Sequence, residues 1–134
     1  MKGIDNMEEY LKKIKETLEK NEEKVCENLK NIKIDDNVKS LEVQIFFDYG
    51  SISIVGYTMI NENNDNGTCV ILDDEDLSNV EAKESEFASI ENENKLYDGI
   101  RQLVIELFEK NINLLKIPTY IMMHDSDERI YVKK

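Results

Sequence analysis

An α+β domain is the fold class this sequence predicts, and three observations carry the prediction. An apolar stripe at helical spacing opens the chain, three stretches of strand-type alternation follow, and a second helical stripe precedes two short strand-like runs. The expected order is an N-terminal helix, an antiparallel meander of three strands, an acidic excursion, a second helix packed on the sheet, and a C-terminal β-hairpin. With 134 residues and no internal repeat or linker composition, residues 1–134 form a single domain around one core.

From Ile4 to about Leu29 the pattern is helical. Ile4, Leu11, Leu18, Val25 and Ile32 recur every seven residues, with Met7 and Ile14 between them. Glu8–Lys12, Glu9–Lys13 and Glu16–Lys20 are i,i+4 pairs in the favourable order, whereas Glu23 faces Glu27. The same register puts Asn21 and Asn28 where apolar residues should continue. That leaves too few clean heptads for a coiled coil. The expectation is a helix packed across a sheet, with a break near Asn21, ended by the turn Asp35-Asp36-Asn37.

Leu41, Val43, Ile45 and Phe47 alternate with Glu42, Gln44, Phe46 and Asp48, the pattern of a half-buried strand. Tyr49-Gly50 turns the chain into a second strand, Ser51 to Ile60, in which Gly56 marks a bulge or a close backbone approach. Asn61 to Gly67 is a turn by composition, with Asn66-Gly67 its strongest signal, and Thr68 to Leu72 is the third strand. The second helix should run from roughly Asn94 to Asn111, with Leu96, Ile100, Leu103, Val104, Leu107 and Phe108 facing the sheet. Asn92 or Asn94 is its expected cap and Asn111 or Asn113 its exit. After Pro118, strands at Thr119–Met123 and Arg129–Val132 flank the turn Asp125-Ser126-Asp127-Glu128.

Charge narrows the functional classes. The formal net charge is −12, which disfavours direct nucleic-acid binding and attachment to anionic membranes, since both need clustered Lys and Arg. A basic protein partner is the electrostatic complement. Two cysteines, Cys26 and Cys69, make no disulfide framework and suit a reducing cytoplasm. No apolar run is long enough for a membrane span, and the N-terminus does not read as a signal peptide.

The charge is concentrated between Asp73 and Asp98, where ten carboxylates oppose only Lys83 and Lys95. This stretch has two readings, a solvated loop that maintains solubility and a docking surface for a basic partner. Phe87, Ile90 and Tyr97 interleave the acids and would supply the anchors on which interfaces depend. On the docking reading the contact residues are Asp73, Asp74, Glu75, Asp76, Glu81, Glu84, Glu86, Phe87, Glu91 and Glu93.

Other chemistry finds no support in the pattern, so no catalytic residue, cofactor or metal is expected. The lone His124 reads as a turn-flanking residue, because no nucleophile or second acid is tied to it. Oxygen-bearing side chains alternate at Asn61, Asn63 and Asp65, yet a calcium-binding EF-hand loop needs Gly and Glu where Asn66 and Leu72 stand. The five glycines are scattered singly and build no phosphate-cradling loop.

In size, acidity and α-β-β-β-α-β-β order, carried by LEVQIFFDYGSISIVGYTMI, LDDEDLSNVEAKESEFASIENE and YDGIRQLVIELFEK, the chain resembles the small acidic immunity proteins of bacterial polymorphic or contact-dependent toxin systems. The resemblance implies a cytoplasmic, non-enzymatic inhibitor that binds a cognate toxin, often a basic nuclease. The alternative is a phage-encoded inhibitor, such as an anti-CRISPR protein, whose carboxylates imitate nucleic-acid phosphates. An uncharacterised interaction domain is a third class.

Overall fold

The computed structural model describes residues 2–48, 51–77 and 90–134. Its helices are α1 (Lys2–Lys20), α2 (Glu22–Lys30) and α3 (Ile90–Lys110), and its strands β1 (Ser40–Asp48), β2 (Ser51–Asn61), β3 (Asn64–Leu72), β4 (Thr119–Met123) and β5 (Ile130–Lys133). The class is α+β, with the strands in one sheet ordered β3-β2-β1-β4-β5.

The helical stripe at the start does break at Asn21. The Asn21 side-chain amide donates back to the Thr17 carbonyl at 2.9 Å and across to the Asp76 carbonyl at 3.3 Å. Seven residues on, the Asn28 amide donates to the Ile71 carbonyl of β3 at 2.8 Å. Both asparagines that interrupt the apolar register therefore satisfy backbone acceptors at the side of the sheet, which apolar residues could not do. Between them Val25 and Leu29 enter the core.

Helix α1 packs chiefly on α3, with little direct contact to the sheet. This corrects the expectation of a helix lying across the strands. The approach is close at Gly99 of α3, where an added Cβ would lie 2.7 Å from a Leu11 methyl. Met7, Tyr10, Ile14 and Leu18 of α1 join Leu96, Ile100, Val104 and Phe108 of α3 in the core above Leu41, Val43, Ile45 and Phe47 of β1. The inward residues of β1 are those the alternation predicts.

The three-stranded meander forms with β1–β2 and β2–β3 antiparallel, but the sheet as a whole is mixed because β4 joins β1 in parallel. Parallel neighbours cannot be joined by a tight turn, and the chain between β3 and β4 includes α3. The expected C-terminal hairpin is met only in part. β4 and β5 pair antiparallel at three positions with a register shift, and β5 begins at Ile130 rather than Arg129.

Two local signals mislead. Asn66-Gly67 lies inside β3, because the chain reverses at Glu62-Asn63 instead. There the Asn61 carboxamide oxygen accepts from the Asn63 and Asn64 backbone amides at 2.8 and 3.0 Å, fixing the turn. Gly67 pairs with Thr58, and the register shift beside that pair leaves Asn66 without an opposite residue. Helix α3 starts at Ile90, so Asn92 and Asn94 lie within it and are not its caps. Its exit is at Asn111 as expected, with the Asn111 amide donating to the Leu107 carbonyl at 2.9 Å.

Gly56 is a site of close approach. A Cβ there would sit 3.3 Å from side-chain atoms of both Ile71 and Leu41. Gly56→Val should therefore cost about 1–3 kcal/mol by overpacking, and Phe108→Ala, at a fully buried site, about 3–5 kcal/mol. Asn28→Ala should cost about 1 kcal/mol by orphaning the Ile71 carbonyl. Urea unfolding with a shared m-value checks all three.

Candidate interaction surfaces

The described part of the acidic stretch begins as a turn after β3. The Asp73 carboxylate accepts from the Asp76 backbone amide at 2.9 Å, and the Asp76 carboxylate from the Asp73 amide at 3.0 Å. Lys24 of α2 reaches Asp76 at 2.7 Å, and Leu77 is fully buried beneath. The turn is thus bolted to α2 by its own acids. Burial of Asp76 pushes its carboxyl up, but the bonds from Lys24 and Asp73 outweigh this and hold it below the usual carboxylate range. Asp74 and Glu75 take no part in the bolting and are exposed.

The ten expected contact residues accordingly divide. Asp73 and Asp76 shape the turn, while Asp74 and Glu75 face solvent. Glu93 accepts a hydrogen bond from the Tyr97 hydroxyl at 3.0 Å within α3. Glu91 lies in the first turn of α3, and Glu81, Glu84, Glu86 and Phe87 lie outside the described residues. Other acids join the exposed pair at the α2 corner. Glu19, Glu23 and Glu27 are exposed at four-residue spacing and, with Glu22, Cys26 and Lys30, line a shallow groove. The Asn111 amide and Lys110, each 3.0 Å from Glu22, hold the Glu22 carboxyl below its ordinary value.

A second surface is one the sequence reading does not single out. The helices cover one face of the sheet, and the opposite face carries the alternate residues. Register places Tyr57, Glu42, Tyr120 and Tyr131 side by side across β2, β1, β4 and β5. The next row along holds Val70, Val55, Gln44 and Met122. Phe46 follows Gln44 on β1 and stacks on His124 at 5.1 Å between centroids. Among the described residues the exposed large hydrophobics are Ile60, Val70, Ile112 and Tyr131. Val70 and Tyr131 fall in these two rows, and Ile60 lines a cavity with Tyr120 and Tyr131.

The centre of this face is polar and buried. Glu42 is only 7% exposed. It accepts from the Tyr120 hydroxyl at 2.7 Å and from the Gln44 amide at 2.5 Å. Burial and the Glu42 bond push the Tyr120 hydroxyl far above its usual value, so it remains a donor at all ordinary pH. Burial also raises Tyr57, with the Glu42 and Asp65 carboxylates adding to the shift. Arg129 lies 5.4 Å above the Tyr120 ring, yet among the described residues no cation pairs with Glu42. Phe46, standing among the polar alternates of β1, is the one sequence signal that could have pointed here.

Catalytic and metal arrangements are not assembled among the described residues. No group of three potential ligands comes together, and Cys26 and Cys69 are free thiols. Burial pushes the Cys69 thiol up, away from nucleophilic character. A polar cleft of about 410 Å³ at the end of β4 contains Asn94, Tyr97 and Arg101, but Arg101 is neutralised by Asp98 at 3.0 Å and Glu128 at 2.9 Å. No helix among the described residues is long and apolar enough to cross a membrane.

No protein-family model, curated protein or solved structure matches the chain significantly.

The Asp76 bonds make a pH prediction. A carboxyl depressed in the folded state stabilises above its unfolded pKa, near ~3.9, and that contribution fades as pH falls through the lower folded value. Asp76→Asn should therefore cost about 1 kcal/mol at pH 7 and progressively less below pH ~4, as thermal unfolding across pH 2–7 would measure.

Proposed function

We propose that this chain is a non-enzymatic binding protein of the immunity class, which acts in the cytoplasm and blocks a cognate basic toxin domain such as a nuclease. One observation carries the reading. Two exposed carboxylates, Asp74 and Glu75, stand on a turn fixed by reciprocal Asp73–Asp76 bonds and by Lys24. Acids presented on a rigid turn meet a partner with little ordering cost, which favours binding over mere solubility. The net charge of −12 supports electrostatic steering toward a basic surface.

Glu19, Glu23 and Glu27 favour a second reading. Three exposed acids at successive four-residue steps across the α1–α2 junction suit a phage-encoded inhibitor that imitates a line of phosphates, such as an anti-CRISPR protein.

The test uses the product of the neighbouring gene, co-expressed and then purified. The two proteins should co-elute as a complex, and the chain should relieve the toxicity of its neighbour. Asp74→Asn with Glu75→Gln should slow association about 3–10-fold at low salt and flatten its salt dependence. On the mimicry reading, Glu19→Gln, Glu23→Gln and Glu27→Gln together do the greater damage. A neighbour that neither binds nor is inhibited overturns the immunity reading.

A further inference from the structure

We propose that the face of the sheet opposite the described helices is a docking surface for a basic protein, whose arginine side chain lies on Tyr57 and pairs with Glu42. The proposal rests on the reading of the chain as a binder of basic proteins, but it uses different residues from the acidic turn.

Charge complementarity identifies the occupant. Glu42 projects from the face away from the helices, 93% buried by the complement of its 7% exposure. Its two hydrogen bonds come from neutral donors, Tyr120 and Gln44. A buried carboxylate is normally paired with a cation, and Glu42 has none among the described residues. A carboxylate group has more acceptor positions than these two bonds fill.

The surroundings select arginine over lysine. Tyr57 stands directly across from Glu42 on β2, and the carboxylate of Asp65 is near enough to act on it. A planar guanidinium stacks on a tyrosine ring while donating bidentately to a carboxylate, and an ammonium does not. The fold already places one guanidinium over a tyrosine ring, Arg129 at 5.4 Å from the Tyr120 centroid. Val55 and Val70, paired across β2 and β3, adjoin Tyr57 and supply apolar area, with Val70 53% exposed. A tyrosine-rich centre beside exposed apolar groups is the composition of an interface hot spot. A second copy is a poor occupant, because each copy carries −12 and would bring a further Glu42 with no cation partner among the described residues to the contact.

The test is a ¹⁵N NMR titration of the full chain with the peptide Ac-Gly-Arg-Gly-NH₂, using Ac-Gly-norleucine-Gly-NH₂ as the uncharged control. Saturable shifts at millimolar peptide are expected at Glu42, Val55, Tyr57 and Val70. Glu42→Gln should weaken the response about fivefold or more. Val70→Lys, at an exposed position that the fold does not depend on, should weaken it comparably by repulsion. Asp74→Asn with Glu75→Gln should leave these shifts within twofold.

Shifts confined to the α2 corner, or an equal response to the norleucine peptide, overturn the proposal. So does a dimer at micromolar concentration that buries Tyr57 and Val70, or intramolecular contacts that cover them. Because the resonances of Glu42, Val55, Tyr57 and Val70 report on this face, their failure to shift removes the surface without touching the acidic turn, whose own test is inhibition of the toxin.

Discussion

Parallel pairing of β1 with β4 is the constraint on which the rest of this structure depends. β1 is the middle strand, flanked by an antiparallel neighbour on one side and a parallel one on the other. A parallel neighbour must be reached by a crossover, and α3, which contacts both β4 and β5, lies in that connection. Once α3 covers one face, α1 has a helix to pack on, and Gly99 removes the side chain that would keep the two apart. Inward apolar residues of β1 are sealed by this layer. Glu42, Gln44 and Phe46 are left on the face that the described helices do not cover.

Acidity serves two physical ends in the same short stretch. In the turn after β3, Asp73 and Asp76 act as hydrogen-bond acceptors that close the turn, and Lys24 locks it to α2. Asp74 and Glu75 carry no such duty and present charge. The solubility and docking readings of an acidic run therefore need not apply to it as a whole, since neighbouring acids play different parts. A carboxylate satisfied by backbone amides is already committed, whereas an exposed one retains its field for an incoming partner.

Much of the fold was legible because hydrophobic periodicity reports directly on burial. The alternation of Leu41, Val43, Ile45 and Phe47 and the 3.6-residue spacing of Leu96, Ile100, Val104, Leu107 and Phe108 identify faces that are buried as expected, with Leu103 partly buried at the edge. Where the reading missed, a tertiary contact outweighed a local preference. Asn66-Gly67 is a strong turn signal, yet Asn61 organises the reversal earlier and Gly67 is drawn into pairing with Thr58. Asn21 and Asn28 look like defects in an apolar stripe until β3 and the acidic turn supply the carbonyls they bind. Of the candidate site, Asp74 and Glu75 were legible as charge. The row Tyr57–Glu42–Tyr120–Tyr131 was not, because it draws on four strands widely separated in sequence.

The sequence by itself determined the class of fold, the buried face of β1 and the apolar stripes of the helices, and a strong negative charge. These are properties of period and composition, which need no knowledge of what lies opposite. Only the tertiary structure decided that β4 runs parallel to β1, that α1 rests on α3, and that a carboxylate sits buried among tyrosines on the face opposite the described helices. Strand order and register are long-range choices, made by which surfaces fit after the chain has collapsed. No local window of residues contains them.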